Sequence, residues 1–127
     1  MSTKAFLRNA WYVAAWSNEI GRSLLERTIL GESICMYRKE NGDAAAIGNV
    51  CPHRFAPLSM GKLIGDVVQC GYHGLRFDAS GKCVQIPHDE NAKIPAKMCV
   101  SNYPLIERHG MVWLWMGEPS KADAAAI

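Results

Sequence analysis

Four residues in two short segments have the types and spacing to hold a metal: Cys51 and His53 in Cys51-Pro52-His53, and Cys70 and His73 in Cys70-Gly71-Tyr72-His73. Each segment offers one thiol and one imidazole, and sixteen residues separate His53 from Cys70. A structural zinc finger normally takes two cysteines from one half-site and two histidines from the other, with at least two residues inside each pair, so Cys-x-His fits it poorly. A dinuclear iron–sulfur centre fits better. If the loops converge, the two thiolates share one iron and the two imidazoles the other, each loop giving one ligand to each iron. Mononuclear zinc, or unrelated core cysteines and surface histidines, are the alternatives, because a cysteine is commonly buried as a small hydrophobe.

The neighbouring residues suit loops that must hold such a centre. Gly61, Gly65, Gly71 and Gly74 allow close backbone approach and let amide N–H groups aim at sulfur, while Pro52 and Pro57 stiffen the first loop. The elements that must position these loops read as strands. After residue 22, strand-like stretches with turn punctuation dominate and no window keeps a helical period. Residues 27–30, 33–38, 44–50, 67–70, 75–77, 83–86, 103–107 and 111–116 are the expected strands. Glu40-Asn41-Gly42-Asp43, Asp78-Ala79-Ser80-Gly81 and Arg108-His109-Gly110 are the expected turns. Residues 51–65 and 87–95 read as irregular, and long loops in a compact domain are usually functional. Trp113 and Trp115 share one strand face and Val112, Leu114 and Met116 the other, with ordinary core packing expected.

Composition bounds the rest. With 127 residues, 49% hydrophobic and 20% charged, the chain is one ordinary globular domain. Folding at this size buries roughly two thirds of the unfolded surface, so a core forms without disulfide staples. Fourteen basic residues against twelve acidic ones give a net charge of +2. They are scattered, which excludes a nucleic-acid footprint. The apolar stretch 11–16 is too short for a membrane span or a signal sequence, so the expected location is the cytoplasm, where five cysteines are reduced, metal-bound or buried rather than paired.

The runs Cys51-Pro52-His53-Arg54-Phe55-Ala56-Pro57-Leu58-Ser59 and Cys70-Gly71-Tyr72-His73-Gly74-Leu75-Arg76-Phe77-Asp78 resemble the Rieske domain of bacterial Rieske non-haem iron aromatic oxygenases. Within that family the chain is most similar to the vanillate O-demethylase and dicamba-type monooxygenase branch. The resemblance runs from Arg8-Asn9-Ala10-Trp11 through Trp113-Leu114-Trp115-Met116-Gly117. Gly71 stands where the family usually has proline, and Leu75 where tryptophan is frequent. Rieske proteins of cytochrome complexes carry a second cysteine in each loop, joined as a disulfide; here those positions are Ala56 and Tyr72. The same branch raises its potential through a Ser and a Tyr hydroxyl, at positions held here by Leu75 and Phe77.

The resemblance implies an all-β fold of antiparallel sheets with a small cluster-binding subdomain, spanning residues 1–120. Its loops are at about 50–61 and 69–78, and 121–127 begin an interdomain linker. It implies a Rieske [2Fe-2S] cluster on Cys51, His53, Cys70 and His73, and one-electron relay as the N-terminal domain of an aromatic-compound oxygenase or O-demethylase. Electrons would come from a flavin and iron–sulfur reductase and pass to a mononuclear non-haem iron. That iron needs two histidines and a carboxylate. After the cluster ligands only His88 and His109 remain, so the Fe(II) site belongs to a domain absent from this chain. The competing reading is a stand-alone Rieske ferredoxin. A homo-oligomer is compatible with either; nucleic acid and membrane are not expected partners. The loop from Ile86-Pro87 to Ile94-Pro95 resembles the family's cluster-covering loop, His88-Asp89-Glu90 within it reads as a solvated acidic turn, and His109 as an exposed turn residue. Cys35, Cys83 and Cys99 are expected to be packed or partly exposed thiols without a redox role.

Overall fold

The computed structural model describes residues 9–52, 56–71, 74–85 and 98–127. Their regular structure is almost wholly strand: β1 Ala10–Trp16, β2 Leu25–Ile29, β3 Glu32–Arg38, β4 Ala44–Gly48, β5 Lys62–Ile64, β6 Val67–Gln69, β7 Arg76–Phe77, β8 Cys83–Gln85, β9 Leu105–Arg108 and β10 Met111–Met116. Every pairing among them is antiparallel, in three sheets ordered β1-β10-β9, β2-β3-β4 and β5-β6-β7-β8. The fold class expected from sequence is the one found.

The β2-β3-β4 sheet is the middle layer. Ile34, Met36 and Ala46 face one core, with Ala14, Ala15, Val112, Leu114 and Met116 of the β1-β10-β9 sheet. Cys35, Tyr37, Ala45 and Ile47 face the other, with Val68, Phe77 and Cys83 of the β5–β8 sheet. Both faces of the middle strand are covered, so Ile34-Cys35-Met36-Tyr37 is apolar without a break, as for any strand buried on both sides. Side chains tie the layers. The Arg38 guanidinium donates to the Glu107 carboxylate through two bonds of 2.7 Å and to the carbonyls of Ser17, Ile20 and Gly42. The Tyr37 hydroxyl donates to the Asp66 carbonyl in the β5–β6 turn at 3.0 Å.

Two strands differ from the sequence expectation. β1 lies in a stretch with no polar residue, and a bulge between Val13 and Ala15 turns Ala14 and Ala15 both inward, which removes the period-two signal. β5 lies inside 51–65 and is only three residues long, framed by glycines. The three expected turns form. Glu40-Asn41-Gly42 makes a three-residue loop with positive φ at Gly42 alone, and His109-Gly110 makes a two-residue turn with φ of 60° and 74°. The Leu30-Gly31 turn, at φ 52° and 80°, has no Asn or Asp to announce it.

Val112, Leu114 and Met116 enter the core between the sheets as expected, and on the tryptophan face Trp115 is also buried while Trp113 is only partly so. Trp11 and Trp115 meet edge to face at 5.3 Å. The Trp115 indole donates to the Glu118 carbonyl, and the Trp11 indole to that of Asp123. Residues 121–127 thus fold back on the sheet rather than lead straight away from it.

Candidate metal centre

Cys51 follows β4 and Cys70 follows β6, and both are buried at 1% exposure in one cluster with Leu58, Val68, Leu75 and Phe77. The two loops are closed in the same way. The Cys51 amide donates to the carbonyl of Ala56, five residues on, at 2.9 Å, and the Cys70 amide to that of Leu75, also five residues on, at 2.7 Å. In the second loop the Gly74 amide also bonds back to the Cys70 carbonyl, with Gly74 at φ 76°. His53 and His73 lie outside the described residues, as do Arg54, Phe55 and Tyr72.

Backbone contact brings the loops together. A Cβ at Gly61, just after the first loop, would overlap the Gln69 carbonyl oxygen and lie 3.0 Å from the Gly71 nitrogen. Only a glycine allows this approach, although its φ of −92° is open to any residue. Gly71 in turn faces the Met60 carbonyl, 3.3 Å from where its own Cβ would stand. The seam opens outward as a cleft of about 310 Å³ lined, among the described residues, by Ala56, Pro57, Met60 and Gly71. Gly65 corrects the sequence reading: it sits in the β5–β6 turn facing Glu40, away from both loops, with φ 59°.

A residue missed in the sequence holds the first loop. Asn49 is the one buried polar side chain among the described residues. Its Oδ1 accepts the Ser59 amide at 2.7 Å, its Nδ2 donates to the Ser33 hydroxyl and Glu26, and its backbone carbonyl accepts the Leu58 amide at 2.6 Å. It therefore grips both ends of the loop that carries Cys51. The only sequence signal was an amide at the end of an apolar strand.

The other cysteines are placed differently. Burial, reinforced by Glu26, pushes the Cys35 thiol up to about 12, and burial also raises Cys83. Both stay protonated at neutral pH. Cys99 is exposed and pairs backbone with Lys82. His109 is exposed in its turn, as expected. His88, Asp89, Glu90 and the proposed covering loop lie outside the described residues. Among the described residues no group of three His, Cys, Asp or Glu side chains could hold a metal.

Residues 10–104 match the model of the Rieske [2Fe-2S] domain. The chain belongs to the Rieske family. It is 50% identical over 93% of its length to the toluene-4-sulfonate monooxygenase system iron-sulfur subunit of Comamonas testosteroni. It is 48% identical over 96% to the oxygenase component of dicamba O-demethylase from Stenotrophomonas maltophilia, and 41% identical over 96% to a vanillate O-demethylase oxygenase subunit of a Pseudomonas species. It covers 34 to 36% of those three proteins, so the Rieske chain spans about a third of the length of the curated relatives it matches. The crystal structure of dicamba monooxygenase bound to dicamba superposes with a TM-score of 0.92 over 98% of this chain and 37% of that one, at 48% identity. The Rieske domain's cofactor is a [2Fe-2S] cluster, and the donor set fits it: two buried cysteines on equally closed loops that meet at Gly61, with the remaining buried thiols held neutral.

Proposed function

We propose that Cys51, His53, Cys70 and His73 hold a Rieske [2Fe-2S] cluster, and that the chain relays single electrons as the N-terminal domain of an aromatic-compound oxygenase or O-demethylase. The matched closure of the two loops, with Cys51 and Cys70 buried in one apolar cluster, is the observation that carries this reading. When bound, the cluster supplies a one-electron acceptor and donor whose imidazole ligation gives a higher potential than four thiolates. The chain's own residues do the rest. Leu58, Val68, Leu75 and Phe77 keep water from the two sulfurs, Asn49 fixes the first loop, and Gly61 sets the distance between the loops. His53 and His73 would each offer a second ring nitrogen for a hydrogen bond to an electron partner.

On this reading residues 1–120 form the cluster-bearing domain and 121–127 begin the connection to an oxygen-activating domain. A flavin and iron–sulfur reductase is the electron donor, and the cytoplasm is the compartment that keeps such a centre supplied and reducible. No helix among the described residues is long and apolar enough to cross a membrane. The test is an iron and acid-labile sulfide assay with EPR of the dithionite-reduced protein. About two irons and two sulfides per chain with the low average g-value of mixed His and Cys ligation are expected. One zinc and no sulfide would overturn the assignment.

A further inference from the structure

Arg76 has no place in the ligand set, yet it sits at the base of the second ligand loop. Gln69 and Arg76 are the register pair that closes the β6–β7 hairpin whose tip is 70–75. The Arg76 Nε donates to the Gln69 side-chain oxygen at 2.9 Å, and its Nη1 to that of Gln85 at 3.0 Å. Gln85 reaches Arg76 because the β7–β8 register shifts: Phe77 pairs with Cys83 and Arg76 with Gln85, leaving Val84 as the extra, exposed residue. Bulges of this kind re-aim a side chain. One guanidinium thus joins three strands, immediately before Cys70 on one side and immediately before residues 86–97 on the other.

Both partners of this half-buried cation are neutral amides. Among the described residues no carboxylate lies within ion-pairing distance of Arg76, although Arg27 and Arg38 each have one. Between Ala44 and Phe77 the chain carries a single carboxylate, Asp66, against Arg54, Lys62 and Arg76. Asp66 is in the β5–β6 turn, at the end of that hairpin opposite the ligand loops, and its carboxylate is engaged by the Glu40 amide. A partly buried cation is screened less by salt than an exposed one and favours the state with one more electron nearby.

We infer that Arg76 is a positioning residue for the second ligand loop, and that its positive charge raises the reduction potential of the centre that loop holds. The inference rests on the ligand assignment above. It is a role for the planar two-armed guanidinium, which lysine reproduces in charge but not in reach to two partners.

The experiment compares iron-loaded wild type with Arg76→Met, Arg76→Lys and Gln85→Leu. Each is assayed for iron and sulfide, midpoint potential, and the rate of iron loss to a chelator. Arg76→Met is expected to lower the potential and to release iron several-fold faster. Arg76→Lys should keep a potential near wild type while releasing iron faster, and Gln85→Leu should do the same. A fully loaded Arg76→Met protein with unchanged potential and release rate overturns the inference. So does an Arg76→Lys potential as low as that of Arg76→Met, which would make the charge irrelevant. A wild-type chain without two irons and two sulfides overturns the ligand assignment itself, and this inference with it.

Discussion

At the scale of single residues, the five cysteines separate by environment. Cys51 and Cys70 are buried where backbone loops close around them, whereas Cys35 and Cys83 are buried among strand side chains that favour the neutral thiol. Cys35→Ala should therefore keep full iron and sulfide, measured colorimetrically, while Cys51→Ser loses most of both. The alkaline behaviour follows from sign. A thiol whose folded pKa is raised to about 12 stabilises the fold fully below the unfolded value near 9, and that contribution is lost as pH rises from there through about 12. Alkaline unfolding followed by circular dichroism should accordingly begin at higher pH in Cys35→Ala than in wild type, once compared relative to each protein's stability at pH 7. Leu75 and Phe77 carry a second residue-scale expectation. Both are buried beside Cys51 and Cys70, the proposed ligands, and neither has a hydroxyl, so no side-chain donor from these positions stabilises the more negative, reduced state. The potential should lie near the lower end of the roughly −150 to +300 mV span of Rieske centres. Leu75→Ser should move it upward in protein-film voltammetry, and an unchanged value would show that the loop side chains do not reach the sulfurs.

At the scale of elements, the first proposed ligand loop joins β4 to β5 across two sheets and the second is the tip of the β6–β7 hairpin, and each is held by the residues at its base. Asn49→Ala leaves the Ser59 amide without its acceptor in a buried setting, a loss of roughly 1–3 kcal/mol in urea melts, with faster iron release than any surface substitution. His109 shows the opposite case. It is exposed, holds φ 60° in a two-residue turn, and is followed by glycine, so His109→Asn supplies the residue such turns favour. A gain of about 0.5–1 kcal/mol with unchanged iron content is expected. The hairpins of Gly42, Gly81 and His109-Gly110 were legible in sequence because their turn residues advertise positive φ. The Leu30-Gly31 turn and β1 were not: a leucine in the left-handed region and a bulge in an all-apolar strand erase the local signals. At the site, cysteine and histidine spacing named the proposed ligands. It marked Gly61 as a glycine of close approach without naming its partners Gln69 and Gly71, and it could not name Asn49, whose role depends on contacts with residues ten or more positions away.

At the scale of the whole molecule, three sheets must be held in order, and the middle one has no free face with which to do it. Arg38 leaves the end of β3 and meets Glu107 of β9, so one guanidinium joins the β2-β3-β4 sheet to the β1-β10-β9 sheet while also accepting the restraint of three loop carbonyls. The pair is a two-bond fork with side chains about a quarter to a third exposed. The Arg38 hydrogen bonds, first among the causes, hold the Glu107 carboxyl below its ordinary value. A carboxylate with a depressed folded pKa contributes stability that is present above its unfolded value, near 4.5, and is lost as pH falls through the lower folded one. Partial exposure limits that contribution to about 1 kcal/mol. Glu107→Gln should therefore reduce stability by about that amount at pH 7 and by progressively less below pH 4.5, where the wild-type carboxyl itself takes up a proton. Thermal melts of both proteins across pH 3 to 7 would show the two curves converging in acid. A constant gap across that range would mean that the fork between the layers works through shape alone, and that its charge contributes nothing to keeping β3 and β9 together.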